Sequence, residues 1–144
     1  QDILTRRTGL LGGDPFAGIV IPRDRIVHRL RQILLNTTIR LRATYTVVSL
    51  REEQLAREIA EAAAPLRSAA AAILSLEGRP EASPKRALEV LVATLPDGPW
   101  DETLAGISDA RDDAALPPGV APNLLLDLIA LARALYEHSK RIEP

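Results

Sequence analysis

A stripe of polar residues runs along the longest helical pattern of the chain, between residues 23 and 48. Its members are Arg25, Arg29, Asn36 and Arg40, which share one side of a helix that turns about 100° per residue. The planar guanidinium of Arg binds carboxylate and phosphate oxygens in pairs. Two interpretations are open: a solvated charged face, or the wall of a substrate-binding site for an anionic molecule or a nucleotide phosphate.

Candidates for metal binding are few. The chain has no Cys and only two His, which excludes thiolate sites and any zinc site without carboxylates. Asp109, Asp112 and Asp113 lie in an acidic stretch, but their spacing matches no cation-binding loop, and we expect a solvated loop there. The sequence therefore predicts no metal site and no cofactor in this chain.

Composition limits the classes of partner. The chain has 144 residues, enough for one domain with a core, and its hydrophobic fraction of 47% includes only 3% aromatics. Leu, Ala, Ile and Val must therefore build the core. With 18 basic and 19 acidic residues the net charge is -1, so we expect neither nucleic acid nor an anionic membrane as a partner. Any anion site must be local.

Two absences bear on location and on completeness. The absence of Cys favours the cytoplasm, and no signal peptide or continuous apolar run of the roughly 18 residues in a membrane span is visible. The chain also contains no Met, so we expect Gln1 to begin a processed or truncated piece.

Helical patterns fill the chain from residue 23 onward. We predict helices at 23–48, 50–76, 84–95, 101–108 and 122–141, with a capping box from Ser49 to Glu52 and with Pro65 kinking the second helix. The predicted fold is all-α, an antiparallel bundle of four to five helices over residues 23–144. Residues 1–22 form a lead-in that is either irregular or built from short strands at 2–5 and 9–11.

The first helix has two apolar strips. The main face carries Ile26, Leu30, Ile33, Leu34, Leu41, Tyr45 and Val48. Leu35 and Ile39 form a second strip on the far side, which predicts that another surface packs over them. That surface would belong to the lead-in, to a missing N-terminal domain or to a second copy of the chain, and we favour a homodimer.

One segment carries a family resemblance. The run LLGGDPFAGIVIPRD at 10–24, followed by a helix with IRLRATY at 39–45, resembles the domain junction of bacterial nucleotidyltransferase-fold proteins related to kanamycin nucleotidyltransferase. In that family a small catalytic domain precedes a helical C-terminal domain, which is related to the HEPN superfamily and binds substrate. The resemblance implies that residues 12–16 form the turn and that Arg40, Leu41, Arg42 and Tyr45 form the helix signature.

The resemblance implies Mg2+ and a nucleoside triphosphate as cofactors of a longer parent protein, and a small-molecule acceptor as its substrate. The family's catalytic Gly pair followed by an Asp-x-Asp strand has no counterpart, because Gly12-Gly13-Asp14 leads directly into Pro15. Asp2 matches the family's third carboxylate, which cannot catalyse transfer alone. We therefore expect a substrate-binding and dimerisation domain that is not catalytic by itself.

The HEPN relationship implies an alternative, an RNA-cleaving or toxin-antitoxin module. Ribonucleases of that superfamily carry Arg, four to six residues, then His, and both Arg23-x4-His28 and Arg133-x4-His138 fit. Chance matches are expected in a chain with 16 Arg, and residues five apart lie about 140° apart on a helix. We predict that His28 and His138 are surface or rim residues and that the chain has no nuclease activity. A plain helical interaction domain is the remaining alternative.

Overall fold

The computed structural model describes residues 20–48, 51–113 and 116–144. Its elements are α1 (Arg23–Val48), α2 (Glu52–Leu76), α3 (Pro84–Val92), α4 (Trp100–Asp113) and α5 (Val120–Ser139). Within these ranges no residue is in a β-strand, and the predicted all-α fold with five helices is confirmed. Most of the predicted lead-in, including both candidate strands and Asp2, lies outside the described residues.

The α2 helix is central and contacts each of the other four helices. It is buried on several sides, at Leu55, Ala56, Ile59, Ala62, Ala63, Leu66, Ala69, Ala70, Ile73 and Leu74. The apolar spacing of the sequence predicts an inner face of Leu55, Ile59, Ala63, Leu66, Ala70, Ile73 and Leu74, and every one of these residues belongs to this set. Pro65 lies inside the helix, which continues past it to Leu76. The Ala residues are the reason that four helices can approach one, since a methyl group keeps neighbouring backbones close.

By length and composition α2 is also able to cross a membrane. The search of the sequence for a continuous apolar run did not find it. In the structure 44% of its most apolar stretch is buried against the other helices. The central helix of a bundle passes the same test of length and hydropathy, so the test separates the two cases poorly. The cytoplasmic location stays a prediction.

Contacts at the helix ends define the directions of three helices. Arg23, at the start of α1, donates hydrogen bonds to the carbonyl oxygens of Leu76 and Glu143, each at 3.1 Å. At the opposite end the backbone N–H of Gly119 donates to Glu52 Oε2 at 2.7 Å. Hence α1 runs antiparallel to both α2 and α5, whereas α2 and α5 run in the same direction.

The α4 and α5 helices approach closely at Gly106. A Cβ placed on this glycine would lie 2.6 Å from Leu124 Cδ2, so only a residue without a side chain fits unless Leu124 moves. The Glu102 charge acts on Asp127, whose pKa is raised by burial and by this neighbour. Residue numbers therefore rise along α4 as they fall along α5, and the two helices are antiparallel.

Two helix starts were predicted from capping residues, with different outcomes. The pair Ser83-Pro84 predicts a cap residue followed by a first-turn proline, and this is confirmed: Ser83 Oγ accepts a hydrogen bond from the Arg86 backbone N–H at 3.2 Å, and Pro84 is the first residue of α3. The prediction of a capping box from Ser49 to Glu52 before α2 is wrong. The helix begins at Glu52, Arg51 is the cap residue without a side-chain cap bond, and the Glu52 carboxylate binds Gly119 instead.

The acidic stretch after residue 108 was predicted as a loop but continues α4 to Asp113. Ala110 is fully buried one turn after the buried Ile107, so the apolar face extends beyond the predicted end. Burial of this face outweighs the weak helix propensity of the Asp residues. Trp100 is partly buried at the start of α4, and its Nε1 donates to the Pro96 carbonyl oxygen at 2.8 Å.

The buried face of α1 is centred on Leu34, with Val27, Leu30 and Leu41 also buried. Ile26, Ile33 and Tyr45, predicted on the main face, are only partly buried. The sequence analysis missed the buried Thr37 and Thr38. Thr38 Oγ1 donates to the Leu34 carbonyl oxygen at 2.9 Å, which satisfies the hydroxyl inside the core.

Arg31 binds the C-terminal end of α5. Its guanidinium donates to the carbonyl oxygens of Ser139 at 3.2 Å, Lys140 at 3.4 Å and Ile142 at 2.9 Å. The last carbonyls of a helix have no intrahelical donors and carry a partial negative charge. A partly buried guanidinium therefore ties α1 to α5 by charge-assisted bonds.

We expect Arg31→Gln to lower the free energy of unfolding by about 2 kcal/mol, since it removes a charged donor from buried carbonyls. Urea unfolding at neutral pH measures this change. Arg42→Gln is the matched control, because Arg42 is exposed on the same helix and has no hydrogen bond among the described residues. It should change stability by less than about 0.5 kcal/mol. Equal effects of the two substitutions would contradict the role of Arg31.

Glu77, just past the end of α2, links α2 to α5. Its Oε1 lies 2.6 Å from His138 Nε2, and its Oε2 accepts a hydrogen bond from Arg79 Nη2 at 2.6 Å. Burial alone raises the pKa of the Glu77 carboxyl. The hydrogen bonds and charges of Arg79 and His138 outweigh burial, so the pKa lies below its ordinary value of 4.5.

Glu77→Gln should change how stability depends on pH. Because the folded pKa of Glu77 is lower than the unfolded one, its carboxylate contributes stability that is present above about pH 5 and is lost as the pH falls through the folded value. We expect a loss of about 1 kcal/mol at neutral pH. Urea unfolding between about pH 3 and pH 7 measures the difference in free energy of unfolding between the parent chain and Glu77→Gln, which should become smaller below pH 4.5. Glu81→Gln, at an exposed residue, is the control and should follow the parent. A difference that stays constant with pH would contradict the stabilising role of the Glu77 carboxylate.

Candidate functional site

A cleft of 340 Å³ lies between the first half of α1 and the second half of α2. The α2 wall consists of small side chains, Ser68, Ala71, Ala72 and Ser75, whose spacing places them on one helix face. The α1 wall consists of Arg25, Ile26, Arg29 and Ile33, and Ile21 and Pro84 complete the lining. Because α2 offers only methyl and hydroxymethyl groups here, space remains between two otherwise packed helices.

Arg25 and Arg29 lie one helical turn apart at the mouth of this cleft. Both side chains are exposed, and Arg29 Nη1 donates to Gln32 Oε1 at 2.8 Å. Among the described residues that line the cleft none is acidic, and its inner walls are formed by Ile and Ala side chains. The arrangement combines a positively charged mouth with an apolar interior, which suits an acidic molecule with an apolar body.

The structure divides the predicted polar stripe. Arg25 and Arg29 line the cleft, but Arg40 lies three turns further along α1, where its Nη1 is 4.0 Å from Glu61 Oε2. Asn36 is exposed and lines none of the cavities described here. The helical wheel placed all four residues on one side correctly. It contained no information on how far along α1 the cleft extends.

The predicted catalytic candidates are not brought together. His28 is exposed in a shallow depression beside Arg31 and Pro144. His138 lies on α5, where its ring nitrogen is bound to Glu77, and its side chain is 13% exposed. Asp2 lies outside the described residues. Among residues 20–48, 51–113 and 116–144 no three His, Asp or Glu side chains gather in a way that could hold a metal ion.

The outer surface of α5 was predicted only through Arg133 and His138. A shallow depression of 600 Å³ runs along it, and its lining residues include Leu126, Ile129 and Arg133 on α5, Arg141 just past the end of α5, and Arg42 on α1. Arg133 and His138 both line it, as an Arg-x4-His site would require. Among the described residues its acidic lining residue is Glu137, which binds Lys140 Nζ at 2.8 Å. Leu126, on the polar side of α5, is a further sequence signal for this surface.

The Ala-rich stretch of α2 at residues 60–72 predicts, from its small side chains alone, close packing of a neighbouring backbone. That holds for Ala62, Ala63, Ala69 and Ala70, which are buried. It fails for Ala71 and Ala72, which are partly buried and line the cleft. A stretch of small residues permits either a close contact or a gap, and the neighbouring side chains decide which.

Comparisons with known proteins add no further identification. The sequence matches no family model, and no curated protein or solved structure matches the chain. The resemblance to nucleotidyltransferases related to kanamycin nucleotidyltransferase therefore stays a prediction, carried by the residues of 10–24 and 39–45.

Proposed function

We propose that this chain is a non-catalytic helical domain that binds a small acidic ligand with an apolar body in the cleft between α1 and α2. The observation that carries the proposal is the position of Arg25 and Arg29 at the mouth of a cleft with apolar walls, in which no residue of the described part of the lining is acidic. The guanidinium groups bind the acidic head of the ligand. Ile26 and Ile33 contact its body.

The dimensions and charges of the cleft support a ligand of metabolite size. Its 340 Å³ is near the lower end of the roughly 300–1,000 Å³ typical of small-molecule sites. A hydrogen bond to a charged group contributes about 1.5–3 kcal/mol, but both Arg side chains are exposed and solvent screening reduces this value. The apolar contacts must therefore supply much of the affinity.

The resemblance described above assigns this domain a place in a larger protein. In nucleotidyltransferases related to kanamycin nucleotidyltransferase, the helical domain presents the acceptor to a catalytic domain that holds Mg2+ and the nucleoside triphosphate. We propose the same division of labour for a longer parent protein, with the acceptor in the cleft. The HEPN-like alternative has less support, because His138 is bound to Glu77 and because Arg31, which lies beside His28, is engaged by carbonyl oxygens at the end of α5.

We also propose that the domain self-associates through the α1–α5 surface. Leu35 and Ile39 are 44% and 56% exposed, and Leu126 on α5 is 43% exposed. Leu35 and Ile39 follow Arg31 by one and two turns, and Arg31 binds α5, so these side chains lie on the flank of α1 next to α5. Aliphatic side chains from two helices thus share one surface, which favours burial of this surface against a second copy of the chain.

The ligand proposal predicts that hexanoate binds the cleft and that its neutral analogue hexanamide binds more weakly. Removing both guanidinium groups in an Arg25→Ala, Arg29→Ala variant should weaken hexanoate binding by about tenfold, with little change in hexanamide binding. A titration followed by NMR chemical shifts measures both affinities and locates the ligand.

Two further variants of this experiment make it specific. Arg40→Ala is the matched control, since Arg40 belongs to the same stripe but lies outside the cleft. It should leave hexanoate binding unchanged. Ala72→Leu should block binding of both compounds by filling the interior. Hexanoate binding that is unaffected by the Arg pair, or chemical-shift changes away from α1 and α2, would refute the proposal.

The dimer proposal predicts that Leu35→Ser with Ile39→Ser shifts the chain toward monomer. Fully burying an aliphatic side chain contributes about 1.5–3 kcal/mol, so the pair is large enough to control a weak dimer. Sedimentation velocity at micromolar concentration measures the state. Val47→Ser is the control, because Val47 is 80% exposed on the same helix but near its end. A parent chain that is already monomeric contradicts self-association.

A further inference from the structure

A third cavity lies where α2, α3 and α4 meet, away from the α1–α2 cleft. Its volume is 200 Å³, and its lining residues are Arg67, Lys85, Leu88, Glu89, Leu104, Ala105 and Ser108. Arg67 and Ser68 are adjacent on α2, and Ser68 lines the cleft. On α3, Pro84 lines the cleft and the next residue, Lys85, lines the cavity. The cavity and the cleft therefore lie on opposite sides of the contact between α2 and α3.

Arg67 is the unusual residue of this cavity. It is partly buried, yet within the described part of the chain its guanidinium makes no hydrogen bond and no ion pair. A guanidinium has five N–H donors, and because no side-chain nitrogen in the described part of the chain is both buried and unpaired, those of Arg67 are accessible from the cavity. Burial and the nearby positive charge of Arg111 both lower the Arg67 pKa, with Asp112 and Glu89 acting in the opposite direction.

Two other polar side chains that line the cavity, Glu89 and Ser108, already have hydrogen-bond partners. Glu89 lines the cavity and its charge acts on Arg67, and its carboxylate also accepts a hydrogen bond at 3.2 Å from Nη1 of Arg86, which lies outside the lining. The Ser108 hydroxyl donates to the Leu104 carbonyl oxygen at 3.0 Å. Lys85 and Arg67 thus remain as two positive groups that face the same space, with Arg111 near enough to act on Arg67.

We propose that this cavity binds a compact oxyanion of the phosphate or sulfate class, with Arg67 and Lys85 as its ligands. An anion between the two side chains accepts charge-assisted hydrogen bonds from Arg67 in place of solvent and offsets its repulsion by Arg111. The volume of 200 Å³ is below the roughly 300 Å³ at which small-molecule sites begin, so it suits an ion or a single phosphoryl group. The site is independent of the ligand proposed for the cleft.

Thermal unfolding of the full chain in sodium phosphate, sodium sulfate and sodium chloride at equal ionic strength tests the proposal. A specific anion that binds only the folded state raises Tm, so we expect phosphate and sulfate to raise it by a few degrees above chloride. In Arg67→Gln and in Lys85→Gln this difference should fall to the smaller contribution that excluded anions make to any folded protein. Arg57→Gln is the matched control, since Arg57 is exposed on the same helix as Arg67 and does not line the cavity.

Phosphorus NMR distinguishes a free ion from a phosphoryl group on a larger molecule. If adding the protein broadens the phosphorus resonance of inorganic phosphate but not that of glycerol 2-phosphate, the site binds a free ion. If it broadens both resonances, the site also accepts a phosphoryl group on a larger molecule. The Arg25→Ala, Arg29→Ala variant should keep the phosphate response, which separates this site from the cleft. No Tm difference from chloride in the parent, or an unchanged difference in Arg67→Gln, overturns the proposal. If Arg67→Gln does not fold, the same reading is taken from Lys85→Gln, whose residue is exposed.

Discussion

The structure depends on the burial of one Ala-rich helix by four neighbours. With 3% aromatic residues the chain has few large side chains, so its core must gain contact by bringing backbones close together. The α2 helix makes this possible because its buried positions alternate Leu and Ile with Ala. The same constraint explains the candidate site. Where the small face of α2 meets Ile26 and Ile33 instead of a close backbone, the packing leaves the cleft.

The Arg residues of α1 serve three different purposes that sequence alone does not separate. Arg23 and Arg31 bind carbonyl oxygens at the ends of α2 and α5. Arg40 faces Glu61 at the surface. Arg25 and Arg29 remain for the cleft. Two helices that end side by side concentrate partial negative charge, and the first pair of Arg residues offsets it. The charge of α1 is therefore structural at one flank and available for a ligand at the other.

Apolar periodicity predicted the helices well because burial controls them. The bounds of α1 and the buried face of α2 follow directly from the spacing of Leu and Ile. Local signals did worse where tertiary contacts competed. The Asp-rich end of α4 is helical because Ala110 is buried, and Glu52 binds Gly119 instead of capping its own helix. The stripe identified Arg25 and Arg29, but Arg67 was missed, since its significance depends on three helices meeting around it.

The hydrogen bond from Arg23 to the carbonyl oxygen of Glu143 brings together residues 120 positions apart in the sequence. The helical unit therefore enters and leaves at the same point in space. A unit of this kind suits insertion into a surface loop of another protein, because its two ends need only a short gap in the host chain. The same proximity suits circular permutation, in which a short linker joins the old ends and new ones are opened in a surface connection such as the one between α3 and α4.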